Sequence, residues 1–454
     1  MARVAQTRPR DARRVLFCRA LTSQLRQTLS LRDLIFIGVG TVIGSGIWLT
    51  PGAVARAAGT PGFALVAWIA GGILSLLGAL TFAELGAAKP DSGGLYVYLR
   101  DAFGSLLAFL YGWTMFLVIG SGSLATLASA FPRYVSVFVP LSPAGASVAS
   151  LVMIAVVTVI NILGTRRSAD VQGVATTLKA GVIVLLAVTF IVAGPGGHAP
   201  VAWWPEHVSL TALSALVTGM IGVLWAYEGW QYVTFSAGET IDPQRTFARG
   251  IIIGTLTLIG LYVLANIGYM SALGPAGVTA SDRVASESAS VVMGPWAAKA
   301  VGAVILVSIF SAANGMTLTL PRLFFAMARD GVFFARLADV HPRFGTPAGA
   351  ILSTSLWSSV LVLSGTFEQL FTYVVFMSWL WFALAALAIF AYRVKEPDAP
   401  RPFRTPGYPV TPILFVLAAL VIVVNTIVAQ PVQSLVGLGL ALLGVPAYLI
   451  WRRH

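Results

Sequence analysis

Apolar residues run along this chain in long blocks separated by short polar connections. A hydrocarbon core of about 30 Å is crossed by a helix of about 20 apolar residues. Read against that length, the blocks predict twelve spans, at about 33–54, 63–87, 104–131, 147–163, 172–193, 210–237, 250–272, 290–319, 348–364, 369–391, 411–429 and 432–451. A transmembrane barrel would instead show weak segments of alternating polarity. The pattern therefore predicts an all-α integral membrane protein of twelve transmembrane helices.

Two of the blocks are interrupted. Span 1 carries Gly38, Gly40, Gly44 and Gly46 within nine residues. Glycine costs a helix interior about 1 kcal/mol relative to alanine, so this run invites unwinding. Such a break frees backbone groups that lipid cannot satisfy, and the half-helix beyond it presents N–H groups suited to a carboxylate. Close helix packing through small residues explains span 1 alone equally well. Span 6 tips the balance, because Gly219, Gly222 and Gly229 accompany an acidic residue, Glu228, at membrane depth. Ionisable groups there face a cavity or a partner. Interruptions five spans apart match an inverted repeat of spans 1–5 and 6–10 with two spans appended. The corresponding division is a basic tail over 1–32, a transport core over 33–391, and spans 11 and 12 with a short C-terminal end over 392–454.

Composition agrees: of 454 residues, 57% are hydrophobic and 10% charged, against roughly a quarter charged in soluble domains. No sizeable soluble module fits beside twelve spans. The net charge of +12 raises the question of nucleic acid, but its distribution answers it. Of the 29 Lys and Arg, 24 fall in the N-terminal tail, in alternate connections and at the C-terminal end. By the positive-inside rule both termini are cytoplasmic, and the basic residues are a topology signal with contact to anionic headgroups as a second role. No basic soluble module exists to hold nucleic acid. The arginine-rich start lacks the short apolar segment and cleavage site of a removable signal peptide. Cys18 is the sole cysteine, so no intrachain disulfide forms. His198, His207, His341 and His454 lie outside the spans, against an intramembrane histidine metal site, and no cofactor is expected.

Several spaced motifs over roughly residues 30–390 resemble the amino acid–polyamine–organocation superfamily, in its L-type amino-acid transporter branch. Gly44-Ser45-Gly46-Ile47-Trp48 is similar to the G-S-G-I-F signature, and Ala226-Tyr227-Glu228-Gly229-Trp230 to A-Y-x-G-W. Phe82-Ala83-Glu84-Leu85-Gly86, Pro90-Asp91-Ser92-Gly93-Gly94-Leu95-Tyr96, Glu239-Thr240-Ile241-Asp242-Pro243-Gln244-Arg245, Met327-Ala328-Arg329-Asp330-Gly331 and His341-Pro342-Arg343-Phe344-Gly345-Thr346-Pro347 extend it. The resemblance implies a LeuT-like fold carrying amino acids without sodium, often by exchange. It implies substrate contacts along Ile43, Gly44, Ser45, Gly46 and Ile47, with the carboxylate on the N–H groups of Gly44, Ser45 and Gly46. The ammonium would meet carbonyls near Ile43 and near Trp225, Ala226, Glu228 and Gly229, with Trp225 as an aromatic gate. Proton-coupled or cationic amino-acid and polyamine symport in the same superfamily is the alternative.

Lys179 lies about 10 Å into span 5. It either snorkels to the interface or, as the resemblance implies, places its ammonium where sodium would sit between spans 1 and 8, coupling substrate binding to closure. Glu228 departs from the Asp, Gly or Ser of many members and is a candidate for receiving a Lys or Arg side chain. Glu84 and Lys299, near span ends, are expected at the interface. Asn161, Asn266 and Asn314 are expected to bond between helices. A major-facilitator transporter would place its second break in span 7, which has no comparable one. An enzyme would need a catalytic constellation that the scattered histidines and single cysteine do not supply. A channel or transport-inactive receptor is the remaining class, separable by conductance or by binding without flux. L-type members of eukaryotes attach a partner through a cysteine after span 3; residues 132–146 have none, so no disulfide-linked ancillary chain is expected. The expected partners are an amino-acid substrate and the lipid bilayer.

Overall fold

The computed structural model describes residues 25–195, 202–207, 209–364 and 367–451, and side chains from 374 onward in the last stretch. Cys18, most of the basic tail, His198 and the final Arg452, Arg453 and His454 lie outside the described residues.

The chain folds into helices joined by short connections. In order these are α1 (Leu31–Val42), α2 (Gly46–Ala58), α3 (Pro61–Ala88), α4 (Leu95–Phe103) and α5 (Ser105–Val135). Next come α6 (Pro143–Ile162), α7 (Thr165–Ala193), α8 (Leu210–Tyr227) with a 3-10 continuation (Trp230–Glu239), and α9 (Pro243–Ala280). The chain ends with α10 (Val284–Met293), α11 (Pro295–Thr319), α12 (Pro321–Arg329), α13 (Ala348–Ser364), α14 (Phe367–Lys395), α15 (Val410–Ala429) and α16 (Pro431–Trp451). Local chemistry sets the starts. Proline opens α3, α6, α9, α11, α12 and α16, where its missing N–H costs nothing and its φ is already helical. Ser30 and Asp33 close a reciprocal cap at the head of α1.

Among the described residues, ten helices are long and apolar enough to cross a membrane, and the bent pair α1 and α2 supplies an eleventh. The predicted ninth span, α13, is apolar but only 17 residues long, about 26 Å at 1.5 Å per residue. Several sequence boundaries move, two of them at glycines. The predicted span 290–319 begins only at Pro295, because Gly294, at φ 91°, separates it from α10. The predicted span 250–272 extends to Ala280 through a kink at Gly274, at φ 68°, followed by Pro275.

The bundle is tied internally by polar side chains. Asn161 of α6 donates to Asn314 of α11 at 3.0 Å, and Asn314 donates to Gln172 of α7 at 3.1 Å. Asn266 differs from expectation: its amide bonds Tyr262 O within its own helix at 2.8 Å. Exposed apolar side chains such as Val152, Val156, Val159, Val174, Leu178, Leu352 and Leu356 cover the outside, as a lipid-facing surface requires.

Candidate functional site

The first span breaks where its glycines cluster. α1 ends at Val42, and Gly44 N–H turns back to Val42 O at 2.7 Å rather than to Gly40 O four residues behind. The chain restarts helically at Gly46, bent by 46° from α1. The unused carbonyls find partners. Lys179 Nζ donates to Gly40 O and Ile43 O, both at 2.6 Å, and stands 3.5 Å from Ser308 O. Ser308 Oγ lies 3.0 Å from both Ile43 O and Gly44 O, and receives Trp48 Nε1 at 3.1 Å. Lys179 is fully buried, so the snorkelling alternative does not describe it. Its three donors face three backbone carbonyls.

The second break falls at the last of the three glycines of span 6. α8 stays helical through Gly219 and Gly222, which lie against Val54, Ala58 and Thr50 of α2. These two are packing glycines, the alternative considered for span 1. The helix stops at Tyr227, Glu228 turns extended at ψ 133°, and Gly229 takes φ 125° before the 3-10 stretch begins. That φ lies where side chains are rarely tolerated, so glycine is required at 229.

The two breaks touch. A methyl built on Gly46 would lie 2.5 Å from Ala226 Cα. Tyr262 of α9 bridges them, its hydroxyl 3.2 Å from Val42 O and 2.9 Å from Ala226 O. No sequence reasoning selected Tyr262, although a tyrosine in mid-span signals a buried hydroxyl needing a partner.

Between the breaks lies a cavity of about 20 Å³, room for about one water. Gly44, Ser45, Gly46, Trp225 and Glu228 line it, joined by Thr41, Ser123, Tyr232 and Met316, which the sequence did not single out. Ile43, Ile47, Ala226 and Gly229 do not reach the lining. The carbonyl of Ile43 is taken by Lys179 and Ser308, and Gly44 N–H by Val42 O. Both therefore differ from the roles expected of them, since neither group is open to a ligand. The N–H groups of Gly46 and Ile47 head a new helix and have no acceptor within it. Thr41 Oγ1 and Ser45 Oγ are buried without a protein partner. Glu228 accepts from Gln231 Nε2 at 2.7 Å and Ser378 Oγ at 3.2 Å, and no ion pair reaches it among the described residues.

Away from the cavity, two charges sit in ion pairs that the sequence did not announce. Glu84, in the last turns of α3, is buried, taking Arg393 Nε at 2.9 Å and Thr405 N at 2.6 Å. Arg393 comes from the last turn of α14, and Arg401 from the connection after it approaches Glu84 to 3.7 Å. Arg322, read only as a topology charge, is buried against Glu239, Nε to Oε2 2.5 Å, with Thr165 Oγ1 bonding both. Lys299 is exposed at the head of α11.

Two broken spans closing on a small polar chamber inside an apolar bundle are the features of a membrane transport protein. The amino acid permease family matches residues 29–447, and the chain belongs to it. Large neutral amino acids transporter small subunit 2 of Mus musculus is 32% identical over 443 residues, covering 94% of this chain and 81% of that one. The serine/threonine exchanger SteT of Bacillus subtilis is 29% identical over 433 residues, covering 93% and 96%. The cystine/glutamate transporter of Homo sapiens is 30% identical over 439 residues, covering 94% and 86%.

Proposed function

We propose that this chain moves L-amino acids across the cytoplasmic membrane by sodium-independent exchange, with alternating access at the cavity between the two breaks. The observation that carries the reading is the joint geometry of that cavity: two interrupted spans in backbone contact, with a buried lysine on the carbonyls of one. Support for exchange comes from relatives named as an exchanger and as a transporter of two amino acids.

In this reading the substrate carboxylate meets the N–H groups of Ser45 and Gly46 at the head of α2. The ammonium meets the carbonyl of Glu228 at the second break, since those of Ile43, Ala226 and Gly229 are already engaged. Trp225 acts as the gate above it. Lys179 supplies a fixed cation where a coupled sodium would otherwise organise the first break. The twelve-span count takes α13 as a short span, and the 5+5 repeat rests on the spacing of the breaks. Cytoplasmic termini rest on the charge asymmetry, and the absence of a linked subunit on the lack of cysteine in 132–146.

Glu228 favours a second reading, cationic substrates, because a buried carboxylate with no ion pair among the described residues sits on the cavity wall. Uptake of labelled alanine, serine, leucine and arginine into proteoliposomes tests both. Uptake of none of a wider amino-acid panel would sink the first reading. Glu228→Gln is expected to lower the arginine-to-alanine ratio by about tenfold, the loss of one charge-assisted contact; an unchanged ratio removes the second.

A further inference from the structure

A second cavity, of about 530 Å³, opens on the face that carries the basic connections. Its walls are Arg26 and Thr28 ahead of α1, Gly164 to Arg167 at the head of α7, and Arg343 to Gly345 ahead of α13. These three segments are distant in sequence but joined in space. Arg166 reaches Asp33 Oδ2 at 2.7 Å and Thr28 O at 3.4 Å, Thr346 Oγ1 donates to Ile162 O at 2.9 Å, and Arg26 lies over Gly345.

Four guanidinium groups share this cavity. Arg166 is matched by Asp33 and by Asp170, to which its Nε donates at 3.0 Å. Arg26, Arg167 and Arg343 have no carboxylate partner among the described residues. Four positive charges against two negative leave the cavity net positive, and the first turn of the 29-residue α7 adds N–H groups and its dipole. The mutual repulsion of such groups is relieved by a multiply accepting anion, and arginine fits phosphate in particular.

The surroundings say where the phosphate comes from. Val152, Val156, Val159 and Leu163 form one exposed stripe along α6 that ends in the cavity wall at Leu163. Leu352, Leu356, Val360 and Leu363 form another along α13, which starts three residues past Gly345. The two helices pack together through Thr158 and Ser355, 2.7 Å apart. Parallel apolar stripes leading into a basic cavity match acyl chains leading to a headgroup.

We propose that this cavity is a site for the phosphate of an anionic phospholipid, held by Arg26, Arg167, Arg343 and the head of α7. A lipid there bridges the segment leading into α1 to α7 and to the start of α13, so it braces the first half of the broken span. Basic cavities of this kind between membrane helices take acidic headgroups.

Native mass spectrometry of the full chain, released from nanodiscs of phosphatidylglycerol mixed with phosphatidylcholine, reads the site directly. Wild type is expected to retain one phosphatidylglycerol saturably. The Arg167→Gln/Arg343→Gln variant should lose that retention by about tenfold, while Arg245→Gln/Arg249→Gln, removing equal charge elsewhere on the same face, keeps it. Equal loss in both pairs, or no preference of wild type for phosphatidylglycerol, overturns the site, and the latter needs no variant to fold. Stabilisation of detergent-solubilised wild type by inorganic phosphate, without retained phosphatidylglycerol, overturns the lipid as occupant.

Discussion

Lys179 and the carbonyls of Gly40 and Ile43 stand or fall together. Removing the ammonium leaves the buried carbonyl of Gly40 without its donor and that of Ile43 with Ser308 Oγ alone, and an unsatisfied buried group costs about 1–3 kcal/mol. Lys179→Met is therefore expected to lower exchange at least about tenfold, a change of about 1.4 kcal/mol, while the protein still purifies as one species. Wild-type flux from this variant in proteoliposomes would remove Lys179 from the coupling role. Gly46 is constrained by the Ala226 backbone 2.5 Å from where a methyl would sit. Gly46→Ala should destabilise by about 1–3 kcal/mol through overpacking, read as a lower unfolding midpoint, whereas Gly219→Ala, with its nearest contact at 3.4 Å, should be close to neutral. Equal effects at both glycines would contradict the distinction drawn between break and packing seam. At this scale the sequence was informative about Gly44, Ser45, Gly46, Trp225, Glu228 and Lys179. It was silent on Tyr262, Thr41 and Tyr232, because a polar group in an apolar run announces a partner but not which one.

Among the elements, the 3-10 stretch after α8 is held at its end by its own Glu239, Arg322 of α12 and Thr165 at the head of α7, with both ions fully buried. Breaking a buried pair by removing one partner costs about 3–5 kcal/mol. Glu239→Gln should thus lower the thermal midpoint strongly and with little dependence on ionic strength, since burial excludes screening. A midpoint unchanged, or one that salt restores, would show the pair to be exposed in the working protein. Hydrophobic blocks made most helices legible, because a span is a long local signal. Of the three glycines in span 6 only Gly229 serves the break, while Gly219 and Gly222 serve packing, a division the sequence could not make because small residues suit packing and unwinding alike. The ion pairs of Glu84 and Arg322 were not legible for a related reason: a charge near a span end does not say which opposite charge the fold brings against it.

For the whole molecule, the central cavity holds about 20 Å³, while wider recesses of about 760 and 530 Å³ lie on opposite faces. The larger is lined by Asp91, Arg100 and Asp330 on the basic face, the other by Arg56, Thr218 and Asp282. An amino acid does not fit the chamber as it stands, so binding must be coupled to movement of the half-helices that wall it. The most direct measurement is uptake of labelled amino acid into proteoliposomes loaded or not loaded with unlabelled amino acid, with sodium and the pH gradient varied independently. Uptake that requires internal amino acid and ignores both gradients is the expected result. Concentrative uptake into empty liposomes, driven by sodium or by protons, would contradict the account.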